Sequence, residues 1–240
     1  MRTIIAANIS DPECPTEEWW RLAAEHPFEA MASPLYPLLT LESPERWVQL
    51  ERDNLEEWID DAANRLLYNN QHLFAADCAE RALPIYEAQH PNDKRPREAI
   101  VARRSYALDE ITRREWEAYI DAAADATEMA KHASMAALRA AESNDAHSRA
   151  LRSLDLTLRE KRSLLAAVHA AAKAATGEQA RYTARSAADA VAGAATQGAL
   201  DHANSVGAYV HSLAPFLASR YEERQWQWRK TQEYLREEAN

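Results

Sequence analysis

The chain has little of what most catalytic sites are built from. Glycine occurs 4 times in 240 residues. It forms no Gly-x-Gly-x-x-Gly, P-loop or Gly-x-Ser-x-Gly pattern, which argues against the usual nucleotide cradles and the hydrolase nucleophile elbow. The two cysteines, Cys14 and Cys78, are too few for a disulfide framework. They read as reduced thiols of a cytoplasmic protein. No Cys-x-x-Cys or His-Glu-x-x-His is present, so the common zinc arrangements are missing. No window of 18 uncharged apolar residues exists, so no membrane span is expected. The opening MRTIIAANISD lacks an apolar stretch long enough for a signal peptide.

Basic charge is also scarce at the front. The formal net charge is −10. Residues 1–100 hold 19 acidic and 9 basic side chains, and the other 140 hold 19 of each. Phosphate contacts need a basic surface, so nucleic acid is not expected as the main partner. A basic protein partner fits better, because complementary charge speeds encounter.

Alanine, by contrast, fills about a fifth of the chain, a strong bias toward helix. The expected fold is all-α. It is an antiparallel helical bundle or array, preceded by a short proline-punctuated helical N-terminal segment. The expected organisation is an acidic front, 1–66, and an alanine-rich helical domain, 67–240. In the front, prolines 12, 15, 27, 34 and 37 bracket a short helix from Thr16 to Glu25. Residues 44–70 read as one longer helix, with Ser43 as cap and Pro44 in the first turn. Its outer side carries Glu51, Asp53, Glu56, Glu57, Asp60 and Asp61, a face suited to steering a basic partner.

The stretch His72–Ile100 organises the rest. Phe74, Cys78, Ala82 and Ile85 fall on one helical stripe. Pro84 lies inside it and should kink the helix. His90-Pro91 ends it. Asn92 or Asp93 is expected to cap the next helix, with Pro96 in its first turn. The resulting hairpin offers Asp77, Glu80 and the Asp93–Arg95 turn as contact residues.

Downstream, a helix from Thr112 to about 144 places Asp121, Asp125, Glu128 and His132 on one face, where they could bind a divalent metal. That is the basis of an alternative reading as a metal-dependent helical enzyme, although the paired Glu-x-x-His of di-metal bundles is absent. Otherwise no cofactor is expected. Helices are also expected over 146–175, 178–204 and 205–238, the middle one made of the smallest side chains so that it packs closely. Trp226 and Trp228 cannot share one helix face. One must meet a second surface, within the chain or in a homodimer through this C-terminal helix.

Asp77 to Arg81 (DCAER), Leu83-Pro84, His90-Pro91, Arg95-Pro96 and the alanine-rich helices that follow resemble the immunity-protein-5-like group of bacterial toxin–immunity systems. The resemblance covers roughly residues 67 to 212. It implies neutralisation of a toxin or effector by binding, with no catalytic residue. A phage-encoded anti-defence binding protein would share that logic with another target. The spacing of the proline-rich front also looks like degenerate leucine-rich-variant repeats, short helical pairs that stack. The alternative is a leader anchored on the bundle through Trp19, Trp20 and Phe28.

Overall fold

A computed structural model describes residues 16–33, 35–143, 167–176, 179–201 and 208–239. All regular secondary structure among these residues is helical. The helices are α1 (Thr16–Glu25), α2 (Pro27–Ala32), α3 (Tyr36–Glu42), α4 (Pro44–Arg65), α5 (Tyr68–Gln89), α6 (Arg95–Ala107) and α7 (Arg113–Ser143). They are followed by α8 (167–176), α9 (Ala180–Asp201) and α10 (Ala208–Ala239). Expectations for Cys14 and for most of the helix over 146–175 lie outside the described residues.

The chain divides into two compact units, Met1–Trp58 and Ile59–Asn240. The division falls inside α4, eight residues before the boundary expected from composition.

The first unit is organised by aromatics. Trp19, Trp20, Leu22, Ala23 and Ala30 are buried together, with Tyr36, Leu39, Trp47 and Leu50 packed against them. Trp19 and Trp20 meet edge to face at 4.8 Å, and Tyr36 and Trp47 at 5.1 Å, the arrangement favoured by ring quadrupoles. Trp58 donates its indole N–H to the Ala24 carbonyl at 3.2 Å. Such bulky rings let three helices of 6 to 10 residues form a core that short helices could not build from alanine.

In the second unit α5 is central. It packs against α6, α9 and α10, while α6 packs on α7 and α9 on α10. His72, Phe74, Ala75, Ala76, Cys78, Ala79, Ala82, Leu83 and Tyr86 are all buried. These residues surround the helix rather than follow one stripe, as a helix with neighbours on several sides requires. The helix runs on through Pro84. Ala184, Ala187, Ala188 and Ala190 are buried on α9. A Cβ built on Gly193 would stand 3.0 Å from the Cβ of Ala167, so α8 and α9 are nearly in backbone contact there.

Two helix ends differ from expectation. The helix predicted over 44–70 stops at Arg65, and α5 begins at Tyr68 after an extended Leu67 (ψ 154°). Neither Asn69 nor Asn70 caps α5. The Glu238 carboxylate does so from the far end of the chain, accepting from the Leu67 backbone N–H at 2.8 Å and the Asn70 amide at 2.7 Å. At the start of α7, where the sequence placed it, Thr112 forms a cap. Thr112 Oγ1 accepts from the Glu115 N–H at 3.3 Å, and Glu115 accepts from the Thr112 N–H at 2.8 Å. This reciprocal pair is a capping box.

Candidate functional site

The two ends of the hairpin are built differently. At the turn, Lys94 is the residue that flanks α6, without a side-chain cap. Asp93 does the tying. Its carboxylate accepts from the Arg95 backbone N–H at 3.2 Å, from the Arg95 guanidinium at 2.9 and 2.7 Å, and from the Tyr86 hydroxyl at 2.7 Å. These bonds, Arg95 first, hold Asp93 well below the usual carboxylate range. Burial, reinforced by Asp93, raises the Tyr86 phenol. The turn is therefore pre-formed. Any partner meets it without an ordering cost at these residues.

Asp77 and Glu80 face the second helix of the hairpin and α10. Arg104 donates to Asp77 at 2.8 Å and to Glu80 at 2.5 Å. The Tyr234 hydroxyl reaches Asp77 at 2.8 Å. On the neighbouring turn Arg81 donates to buried Glu223 at 2.7 Å and lies 4.2 Å from the ring centre of Trp226. Trp228 is buried. Both tryptophans that sequence spacing could not place on one face thus find surfaces within the chain.

The acidic residues of α4 separate. Asp53, Glu57 and Asp61 are exposed, and Glu51 and Glu56 are half-buried. Asp53 accepts from Gln49 at 2.8 Å and Asp61 pairs with Arg65 at 2.7 Å. Asp60 turns inward instead. Its side chain is 16 % exposed, with Arg224 at 3.7 Å, and the Arg185 guanidinium forks onto both its oxygens.

Asp121, Asp125, Glu128 and His132 do lie along α7, exposed. Glu128 is engaged by Lys131 at 2.9 Å. Among the described residues no three His, Cys, Asp or Glu groups converge to hold a metal. The helix spreads these four side chains along its axis.

A polar pocket was not anticipated from spacing. A pocket of about 510 Å³ opens between α5 and α7. Tyr68, Gln71 and His72 of α5 form one wall, and Trp116, Ile120 and Asp121 of α7 the other. Arg113, Glu117 and Gln179 edge it. His72 and Trp116 are each only 5 % exposed, and their rings meet edge to face at 5.0 Å. Tyr106 stacks on Trp116 at 5.0 Å, and the Tyr68 hydroxyl lies 3.2 Å from that of Tyr106. Buried Arg103 lies 5.7 Å from the Trp116 ring centre. Burial first, then Arg103, pushes the His72 imidazole down to about 4, so it is neutral near pH 7. Trp116 lies on the buried side of its helix. Nothing in a separation of 44 residues could pair it with His72.

A family model described as "Imm-5 like putative immunity protein" matches residues 69–150. The match begins in the first turn of α5 and takes in the hairpin and all of α7. It also contains every pocket residue except Tyr68 and Gln179. No curated protein and no solved structure matches the chain. No described helix is long and apolar enough to cross a membrane.

Proposed function

We propose that this chain is an immunity-type protein, which binds a cognate toxin or effector and neutralises it by occlusion rather than by catalysis. The observation that carries the reading is the family match over 69–150, laid on the hairpin whose DCAER and HPNDKRP segments suggested it. The rigid turn at Asp93–Arg95 and the exposed carboxylates Asp53, Glu57 and Asp61 supply the kind of surface such binding uses. A basic partner is the best complement to an acidic front, through faster encounter and rejection of like-charged competitors. Asp77 and Glu80, already engaged by Arg104, contribute as a fixed charge pattern rather than as mobile side chains. Cytoplasmic action fits the thiol content, and a homodimer through α10 is a separable possibility that gel filtration would detect.

The test is coexpression. Each protein encoded beside this gene is produced in a bacterial host with and without the chain. Growth arrest lifted by the chain, together with a complex that survives gel filtration, is the expected result. Rescue without a complex, or no rescue of any toxic neighbour, would overturn the proposal.

A further inference from the structure

The pocket between α5 and α7 has chemistry that binding a toxin by its outer surface does not use. Its volume, about 510 Å³, lies within the range of small-molecule sites. Buried polar groups in folded proteins are nearly always hydrogen-bonded, yet two at this pocket are not. Nδ1 of His72 and Nε1 of Trp116 are sealed from solvent and have no partner among the described residues. With no acceptor beside Nδ1, an N–H there would be a lone buried donor, which proteins tolerate less well than an unused acceptor. The neutral ring therefore carries its proton on Nε2. That nitrogen is not among the sealed atoms that lack a partner, it makes no hydrogen bond among the described residues, and His72 lines the pocket. His72 thus offers the pocket an uncharged N–H donor.

The charges at the mouth narrow the choice of ligand. Arg113 is taken up by Glu117 at 2.7 Å. Asp121 is exposed and makes no ion pair or hydrogen bond among the described residues. A carboxylate ligand would meet Asp121 and Glu117. A purely cationic ligand would have nothing to accept the His72 N–H. A group with adjacent C=O and N–H satisfies both, and aromatic Tyr68 and apolar Ile120 suit a planar body.

We propose that this pocket binds a small, neutral, planar amide, a carboxamide or lactam ring. Its carbonyl accepts from His72 Nε2–H and its N–H donates to Asp121. This goes beyond the immunity reading and is independent of it, since toxin rescue and ligand binding can each fail without the other.

The experiment titrates the purified full chain with benzamide, uracil, benzoate and benzamidine, following tryptophan indole and histidine ring signals by NMR. Benzamide, benzoate and benzamidine share a ring and differ in charge. Expected is saturable binding of benzamide or uracil, at least about tenfold tighter than benzamidine, which leaves the His72 donor unpaired, or benzoate, which meets the like charge of Asp121 and Glu117. His72→Phe should abolish that preference. Gln179→Trp, a change at an exposed rim position, should block the mouth and abolish binding in a protein with unaltered circular dichroism. If His72→Phe does not fold, Asp121→Ala, expected to weaken benzamide binding severalfold, replaces it. Absence of saturable shifts, equal or tighter binding of either charged analogue, or binding that survives Gln179→Trp would each overturn the proposal.

Discussion

Glu238 holds the backbone of Leu67. A carboxylate on the last turn of α10 accepts the N–H that opens α5, at 2.8 Å, across 171 residues of sequence. Removing a helix cap costs about 1 kcal/mol. Glu238→Ala should lower unfolding stability by about that amount, with Asn70 losing its partner as well. Urea denaturation reads the change as a shifted midpoint with unchanged slope. Glu237→Ala, on the neighbouring exposed position, is the matched control and should shift it little.

The approach of Gly193 to Ala167 sets a size limit at the contact of α8 and α9. Gly193→Leu places several carbons where a single Cβ would already stand 3.0 Å from that of Ala167. Overpacking of this kind costs roughly 1–3 kcal/mol. A melting temperature lowered by several degrees is expected. An unchanged value would mean that the two helices separate without cost.

His72 should make stability depend on pH in a window of its own. The imidazole is pushed down to about 4 in the folded chain, by burial and then Arg103, against an ordinary value near 6.5. Above pH 6.5 it is neutral folded and unfolded, and its contribution is fully present. As pH falls from 6.5 to about 4 the unfolded chain takes up a proton that the folded chain refuses. Stability of about 3 kcal/mol is lost over that interval. His72→Gln, which cannot titrate, should flatten the curve between pH 6.5 and 4. Asp93 acts lower. Its depressed folded value means that its contribution is lost only as pH falls below the usual carboxylate range.

Charge reversal separates the acidic residues of α4. Asp53→Lys with Glu57→Lys changes exposed positions and should leave the fold intact. Against a partner identified by growth rescue, it should slow association about tenfold at low salt, with the deficit shrinking as salt rises. Asp60→Lys should instead destabilise the protein, because it sets a cation against Arg185 and Arg224. Stopped-flow association rates and thermal melts distinguish the two.

How far the sequence could be read depended on the range of each interaction. Thr112 and Glu115 are three apart, so the start of α7 followed from local pattern, and the structure adds their capping box. So did the hairpin, since His90-Pro91 and Pro96 act on adjacent backbone. The break at Leu66–Leu67 was missed because its cap arrives from Glu238. Asp60 looks like its acidic neighbours, and only its position on the helix, next to buried Ile59, distinguishes it. The pocket needed His72 and Trp116 brought together by the packing of α5, α6 and α7, which no spacing encodes. The metal reading on α7 met the converse limit, since among the described residues no three His, Cys, Asp or Glu groups converge there. One helix face supplied the four candidate ligands, spread along its axis.

Cys78 offers a measure of how the assembly moves. It is buried within α5, and burial, aided by Glu223 and Asp77, raises its thiol well above the ordinary value. Thiols react as thiolates, so a probe cannot modify Cys78 while α5 keeps its neighbours. In a chain with Cys14 replaced by serine, the rate of alkylation becomes a clock for transient opening of the central helix. A bound toxin, or a small amide in the neighbouring pocket, would each slow that clock by the amount it stabilises the closed form.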